Sequence, residues 1–160
     1  MTEVTRVTIL GATGSVGQNT LAVLAEDPRF SVHALSAHRN TALLLEQCQR
    51  FRPRYAVLTD TGKADEMAAL LRTSACKTEL LVGPEYLQEV ASAPDTDVVM
   101  AAIVGAAGLA SSMAAVQHGK RLLLANKEAL VMSGELFMQT AAESGAQIIP
   151  IDSEHNAIFQ

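Results

Sequence analysis

The chain of 160 residues contains no tryptophan, two cysteines and few aromatic residues of any kind. Cys48 and Cys76 lie far apart and outside any spacing typical of a metal site, so we expect buried, free thiols of a cytosolic protein. The net charge is -5 and no basic run is present, which argues against nucleic acid as a partner. The longest apolar stretch, Val98–Ala110, contains two glycines and is too short to cross a bilayer, and the N-terminus lacks the apolar core of a signal peptide. We therefore expect a cytoplasmic protein that binds neither nucleic acid nor a membrane.

Short apolar runs alternate with helical patterns along the whole chain. Several of these runs are continuously apolar, which is typical of parallel strands covered on both faces. The predicted strands are Val7–Leu10, Phe30–Leu35, Tyr55–Leu58, Glu79–Val82, Val98–Ala101, Arg121–Leu124 and Gln147–Ile151. The predicted helices are Val16–Ala25, Thr41–Arg50, Lys63–Thr73, Pro84–Ala93, Leu109–His118 and Ala129–Ser144.

Residue types at the helix ends support this division. Asn40, Thr61 and Ser111 are of the types that cap helix N-termini, and Gly119 and Gly145 stand where helices should end. Strand–helix alternation at this spacing implies right-handed βαβ units. The sequence therefore predicts one α/β domain with a doubly wound, mostly parallel, Rossmann-like sheet and helices on both faces.

The first motif is GATGSVG, which follows the first predicted strand and opens a helix. Gly11, Gly14 and Gly17 allow a tight turn, a close approach of the backbone to a pyrophosphate and close packing of the helix. Thr13 and Ser15 can add hydroxyl donors. The pattern favours dinucleotide binding, and the alternative is a glycine turn needed only for packing.

The second motif is SAHRN, at the end of the second predicted strand. Folds specific for NAD usually place Asp or Glu here to hold the ribose 2′-hydroxyl, and this chain has none. His38 and Arg39 stand there instead, and Asn40 can bind a phosphate or cap the next helix. A cation in place of an acid favours the 2′-phosphate of NADP. The alternative is a solvated arginine in a loop.

Two further motifs follow the fifth and sixth predicted strands. In AAIVGAAGL the small residues, Ala102 among them, let a nicotinamide or ribose lie against the backbone, although a packing turn explains them nearly as well. In ANKEAL, Lys127 could meet an anionic substrate and Glu128 the cofactor, and the alternative is an ion pair that starts a helix.

The last motif, DSEHN, follows the seventh predicted strand. Asp152 and Glu154 carry oxygen ligands suited to a hard cation such as Mg²⁺ or Mn²⁺, although a third ligand is then expected. His155 is better suited to hydrogen bonding than to ligation. An acidic helix start is the competing explanation.

Taken together, GATGSVG, SAHRN, MAAIVGAAGL, LLLANKEALV and IDSEHNAIFQ resemble the 1-deoxy-D-xylulose 5-phosphate reductoisomerase family over essentially the whole chain. The resemblance implies metal-assisted rearrangement of 1-deoxy-D-xylulose 5-phosphate and reduction by NADPH to 2-C-methyl-D-erythritol 4-phosphate, in non-mevalonate isoprenoid biosynthesis. It further implies that residues 1–160 are the NADPH-binding domain of a homodimeric parent and stop where the catalytic site begins. The central and C-terminal domains would be absent, so we expect this chain to bind the cofactor without activity.

The resemblance also assigns roles to individual positions. It places Thr13, Gly14, Ser15 and Val16 at the pyrophosphate, Arg39 and Asn40 at the 2′-phosphate, Asn126 and Glu128 at the cofactor, Asp152 and Glu154 on the metal, and Lys127 and Ser153 on the substrate. Lys127, Ser153 and Glu154 would be the catalytic residues. The chain departs from the family at His38, which fills a frequent glycine position, and the third metal carboxylate would lie beyond Gln160.

Two other classes of protein remain as alternatives. One is another NADP-dependent oxidoreductase with the same opening fold, such as a relative of homoserine or aspartate-semialdehyde dehydrogenase. The other is a non-catalytic module that senses nucleotides, although such a module has no need of the carboxylates in DSEHN.

Overall fold

The computed structural model describes residues 3–125 and 128–151, except for the side chain of Ala129. The strands are β1 (Thr5–Leu10), β2 (Phe30–Ala37), β3 (Tyr55–Leu58), β4 (Glu79–Val82), β5 (Val98–Ala101), β6 (Arg121–Leu124) and β7 (Gln147–Pro150). The helices are α1 (Ser15–Ala25), α2 (Thr41–Phe51), α3 (Ala64–Thr73), α4 (Glu85–Ser92), α5 (Leu109–Gln117) and α6 (Glu128–Ser144). Short 3-10 turns at Thr61–Lys63 and Gly105–Gly108 precede α3 and α5.

The strands form one parallel sheet in the order β4-β3-β2-β1-β5-β6-β7. The chain builds the sheet outward from β1 to β4, returns across it, and continues from β5 on the other side of β1. The strand order therefore reverses between β1 and β5, which is where doubly wound sheets form their ligand crevice. The predicted fold class is confirmed.

Helices cover both faces of the sheet and bury two apolar clusters. Leu21 of α1, Leu44 of α2 and Met67 of α3 belong to the cluster on one face. Leu87 of α4, Val116 of α5 and Phe137 of α6 belong to the cluster on the other. Strands buried on both faces need no polar alternation, which explains the continuous apolar runs in the sequence.

Three of the predicted helix ends are confirmed. The Asn40 side chain accepts a hydrogen bond from the Leu43 N–H at 3.2 Å and caps α2. Gly119 and Gly145 follow α5 and α6 with φ of +72° and +81°, a left-handed conformation that glycine adopts without steric cost.

The other two caps are wrong. Asp60, not Thr61, caps the 3-10 turn before α3, because its carboxylate accepts the Gly62 N–H at 2.9 Å. Ser111 lies inside α5, where its buried hydroxyl donates to the Gly108 carbonyl instead of capping the helix. Both errors arise because a residue type permits capping but the position of the first turn decides it.

Both cysteines are free, as predicted, but only Cys48 is fully buried. Burial, followed by the nearby Cys76 thiol, raises the pKa of Cys48 to about 12, so this thiol is un-ionised at neutral pH.

In the described ranges, none of the helices combines the length and apolar character needed to cross a bilayer.

Candidate functional site

A cavity of about 540 Å³ opens at the carboxyl ends of β1, β2, β3 and β5. It lies where the strand order reverses, the place at which open α/β sheets bind their ligands. Loops from separate parts of the chain form its walls, with Gly11, Thr13, Gly14, Ser36, Ala37, His38, Thr59, Pro84, Leu87, Ala102, Ile103, Val104 and Ala107 lining it.

Each of the three glycines in GATGSVG is explained by a different feature of its surroundings. Gly11 has a φ of +84°, and a Cβ atom there would lie 2.8 Å from the Ala102 carbonyl oxygen across the switch point. A Cβ atom on Gly17 would lie 2.3 Å from the Gly11 carbonyl oxygen, so this glycine lets α1 pack on the turn. A Cβ atom on Gly14 would meet only the Gly11 carbonyl oxygen, at 3.6 Å. Gly14 is exposed and lines the cavity, so its missing side chain leaves room for a ligand.

The glycine turn leads directly into α1, which begins at Ser15 with Gly14 as its N-cap. No side chain caps this helix. The first N–H groups of a helix have no partner within the helix, and the positive end of the helix dipole lies beside them. An uncapped N-terminus behind a glycine turn is therefore suited to phosphate oxygens.

Two residues to which the sequence analysis gave no role, Ser36 of SAHRN and Gln47, hold the turn in place. Ser36 is 2% exposed on β2, and its hydroxyl accepts the Gly11 N–H at 2.8 Å while its carbonyl accepts the Ala12 N–H at 2.7 Å. Gln47 of α2 donates from its side-chain amide to the Ala12 carbonyl at 2.8 Å. The available signal was weak in both cases: a hydroxyl at the end of an apolar strand, and an amide at an inward position of a helix.

His38, Arg39 and Asn40 are exposed, and His38 lines the cavity. His38 Nδ1 shares a hydrogen bond with the Thr59 hydroxyl at 2.9 Å. The Arg39 guanidinium lies 3.3 Å from the Asp60 carboxylate. Asp60 follows β3, the strand beside β2, and is therefore not part of the second-strand motif. Its carboxylate holds Arg39 at the edge of the sheet where the cavity opens.

The structure brings some of the other predicted residues to the same edge. Ala102 lines the cavity, and its N–H donates to the Leu10 carbonyl at 2.9 Å. Glu128 begins α6 and is exposed. Asn126, Lys127, Asp152, Ser153 and Glu154 lie outside the described residues. Within residues 3–125 and 128–151, the His, Cys, Asp and Glu side chains form no group of three that could hold a metal ion.

A sequence model of 1-deoxy-D-xylulose 5-phosphate reductoisomerase matches residues 7–134. The chain belongs to this family. The match covers the glycine turn, the second-strand loop and the start of α6, and it includes every residue named above as lining the cavity.

Individual members of the reductoisomerase family agree in sequence and fold. A 1-deoxy-D-xylulose 5-phosphate reductoisomerase of Paraburkholderia xenovorans is 58% identical over 156 residues, which is 97% of this chain. The crystal structure of a DOX-P reductoisomerase with NADPH, fosmidomycin and magnesium matches with a TM-score of 0.90 at 45% identity, covering 97% of this chain and 38% of that one. The Zymomonas mobilis reductoisomerase with NADPH matches with a TM-score of 0.89 at 38% identity, covering 98% of this chain and 41% of that one.

The chain spans 39% of the length of the P. xenovorans reductoisomerase. More distant structures share the fold alone. A putative homoserine dehydrogenase from Archaeoglobus fulgidus, for example, reaches a TM-score of 0.58 at 18% identity. That likeness shows the fold alone, whereas the sequence model and the 58% identical relative show the reductoisomerase family.

Proposed function

We propose that residues 1–160 form the NADPH-binding domain of a 1-deoxy-D-xylulose 5-phosphate reductoisomerase. The observation that carries the proposal is the cavity at the switch point, which has a glycine turn and an uncapped helix N-terminus on one side and a cationic loop nearby. The parent enzyme would convert 1-deoxy-D-xylulose 5-phosphate to 2-C-methyl-D-erythritol 4-phosphate. We expect it to be a cytoplasmic homodimer.

The turn from Gly11 to Gly17 would hold the pyrophosphate of NADPH. Gly14 offers open space in which the backbone can approach the phosphates, and the N–H groups of Ser15 and Val16 begin the helix behind it. The Thr13 hydroxyl can add a donor. Ala102, on the far side of the switch point, would lie against the ribose or nicotinamide.

The loop from His38 to Asn40 would bind the 2′-phosphate. Arg39 supplies a permanent positive charge, and Asp60 holds its guanidinium at one side while leaving other N–H donors of the fork for a phosphate. The Asn40 side-chain oxygen caps α2, so its NH₂ group is the part available to the phosphate. No carboxylate at the end of β2 competes for a ribose 2′-hydroxyl.

The remaining assignments concern the segments after β6 and β7, two strands that end at the same edge of the sheet as β1. Asn126 and Glu128 would contact the cofactor, and Lys127 and Ser153 the substrate. Asp152 and Glu154 would bind Mn²⁺ or Mg²⁺, because two carboxylates form an oxygen donor set that hard cations prefer. Bound NADPH would supply a hydride, and the metal would polarise the substrate oxygens.

Calorimetric titration of the chain with NADPH and NADH tests the cofactor assignment. A charged contact with the 2′-phosphate contributes roughly 1.5–3 kcal/mol, which is about one to two decades in affinity, so we expect NADPH to bind more tightly by that factor. Arg39→Gln should remove most of the difference, without placing an acid against Asp60. Arg29→Gln is the matched control, because Arg29 is also exposed and paired with an aspartate but precedes β2 instead of following it. Equal affinities of the wild-type chain for the two cofactors would refute the proposal.

A further inference from the structure

Gln47 occupies an unusual place for a polar side chain. It lies on the inward face of α2 together with Thr41, Leu44 and Cys48, and it is 6% exposed. Its Nε2 atom donates to the carbonyl oxygen of Ala12, 35 residues earlier in the chain, at 2.8 Å. Its Oε1 atom is buried and accepts no hydrogen bond from the described residues.

The unpaired Oε1 atom of Gln47 lowers the stability of the fold. A buried acceptor without a donor loses its hydration and gains nothing in return, whereas an apolar side chain of similar size would fill the same space without that loss. Turning the amide round would place its oxygen against the Ala12 oxygen, so the observed orientation is the favourable one. The benefit of the side chain therefore lies in the single bond to Ala12.

That bond joins the two phosphate-binding elements of the proposed cofactor site. Ala12 is a fully buried residue of the glycine turn, and its N–H is bound to the Ser36 carbonyl. Gln47 lies two helical turns, or about 10 Å, from Asn40, the residue that caps the same helix directly after Arg39. Gln47 thus links the helix that starts at the 2′-phosphate loop to the turn that faces the pyrophosphate.

We infer that Gln47 is a positioning residue for NADPH, because its hydrogen bond to the Ala12 carbonyl sets the spacing between the pyrophosphate turn and the 2′-phosphate loop. The inference rests on the proposed NADPH-binding function and adds a specificity determinant that touches neither phosphate. Both cofactors would contact the turn through the pyrophosphate, but only NADPH would also place a phosphate group in the loop. Loss of the bond therefore weakens NADPH more than NADH.

The first test replaces Gln47 with methionine, which keeps the length and removes the donor. We expect the Kd of Gln47→Met for NADPH to rise about tenfold, the effect of one hydrogen bond on an equilibrium, with a smaller change for NADH. Circular dichroism and urea unfolding report in parallel whether the variant is folded. A purely structural role would change the two Kd values by the same factor, so an unchanged ratio of the two would overturn the inference.

The second test uses a single variant in which a change of pH makes and breaks the hydrogen bond. It therefore does not depend on two different variants being folded alike. In Gln47→Glu, a protonated carboxyl group can donate to the Ala12 oxygen as the amide does, whereas a carboxylate repels it. We expect NADPH affinity close to that of the wild type at low pH and a loss of about tenfold as the introduced group ionises. Gln49→Glu, an exposed change on the same helix, and the wild type supply the baseline for the titration of the 2′-phosphate itself.

The outcomes separate the inference from the proposal beneath it. If the wild-type chain prefers NADPH and the Gln47→Glu profile runs parallel to that of Gln49→Glu, Gln47 does not position the site and the cofactor assignment stands. If the wild-type chain binds NADPH no better than NADH, the proposed function fails and this inference fails with it. A profile that diverges only in Gln47→Glu, with a reduced NADPH preference in Gln47→Met, supports the inference.

Discussion

Gly14 and Gly17 are three residues apart in one motif but differ in what an added methyl group would meet. The Cβ of Gly17→Ala would lie 2.3 Å from the Gly11 carbonyl oxygen, so backbone must move and we expect a loss of about 1–3 kcal/mol in the free energy of unfolding. The Cβ of Gly14→Ala finds ordinary contact at 3.6 Å, and the poorer N-cap should cost about 0.5–1 kcal/mol. The NADPH affinity of Gly14→Ala should nevertheless fall markedly, because the methyl group enters the space proposed for the pyrophosphate. Urea unfolding and NADPH titration of both variants check this contrast, and an unchanged NADPH affinity in Gly14→Ala would contradict it.

His33 on β2 makes the stability of the fold depend on pH. It is 8% exposed, its ring packs edge-on against Tyr55, and it falls in the irregular register between β1 and β2. Burial lowers the pKa of His33 below its ordinary value of 6.5, although Asp95 opposes the shift. His33 therefore binds a proton more weakly in the folded chain than in the unfolded chain. The free energy of unfolding should fall as the pH drops below 6.5, whereas His33 should not affect it above that pH.

The substitution His33→Phe checks this dependence. It removes the titrating group, so the decline in unfolding free energy from about pH 6.5 to about pH 5 should become shallower. His38→Phe, which changes an exposed histidine just after the same strand, should keep the wild-type decline. Parallel declines in all three proteins would mean that His33 does not carry the effect.

At the scale of the element, α2 has two functions at its N-terminus. Asn40 caps the helix through its side-chain oxygen and is proposed to bind the 2′-phosphate through its NH₂ group. Asn40→Asp keeps an acceptor at the cap and adds a charge that the helix dipole favours, so the free energy of unfolding should be unchanged or slightly raised. The same charge repels the phosphate, so NADPH affinity should fall and NADH affinity should stay close to that of the wild type.

Asn40→Ala is the complementary variant for α2. It removes the cap as well as the donor and should cost about 1 kcal/mol of stability in addition to weakening NADPH binding. If Asn40→Asp bound NADPH as tightly as the wild type, Asn40 would serve only the helix.

For the whole molecule, the order of the strands matters more than any single loop. The loops after β1 and β2 line the cavity because these strands are neighbours, and the loop after β5 joins them because β5 returns to the far side of β1. The strands β6 and β7 run parallel to β1 and β5 and therefore end at the same edge of the sheet. Residues widely separated in the chain can therefore contribute to one site.

We expect the 160-residue chain to bind NADPH but to show no reductoisomerase turnover. It spans 39% of the length of the P. xenovorans relative. Rate enhancement depends on an enclosed, preorganised site that holds the substrate against the cofactor. Substrate-dependent NADPH oxidation by the pure chain, measured beside a full-length relative, checks this. Turnover above the background without enzyme would contradict it.

Much of the fold and part of the site could be predicted from local patterns. Apolar runs and helical periodicity placed the strands and helices within a few residues, because each pattern reflects a repeat along one segment. GATGSVG predicted the turn, and the lack of an acid in SAHRN together with Arg39 favoured a site for a 2′-phosphate. Thr61 and Ser111 show the limit of such signals, since several residues near a helix start can act as its cap.

The sequence by itself determined the alternation of elements, the glycine turn, the cationic second-strand loop and the family. Only the tertiary structure decided which residues meet: Ser36 and Gln47 at the turn, Asp60 at Arg39, and Ala102 across from Gly11. The physical reason is that periodicity encodes which face of an element is buried, whereas contacts between distant segments depend on strand order and on the packing of α2 against the sheet. In these contacts a polar residue of a common type binds a backbone atom or a side chain far along the chain. No local pattern distinguishes such a polar residue from other polar residues near it in the sequence.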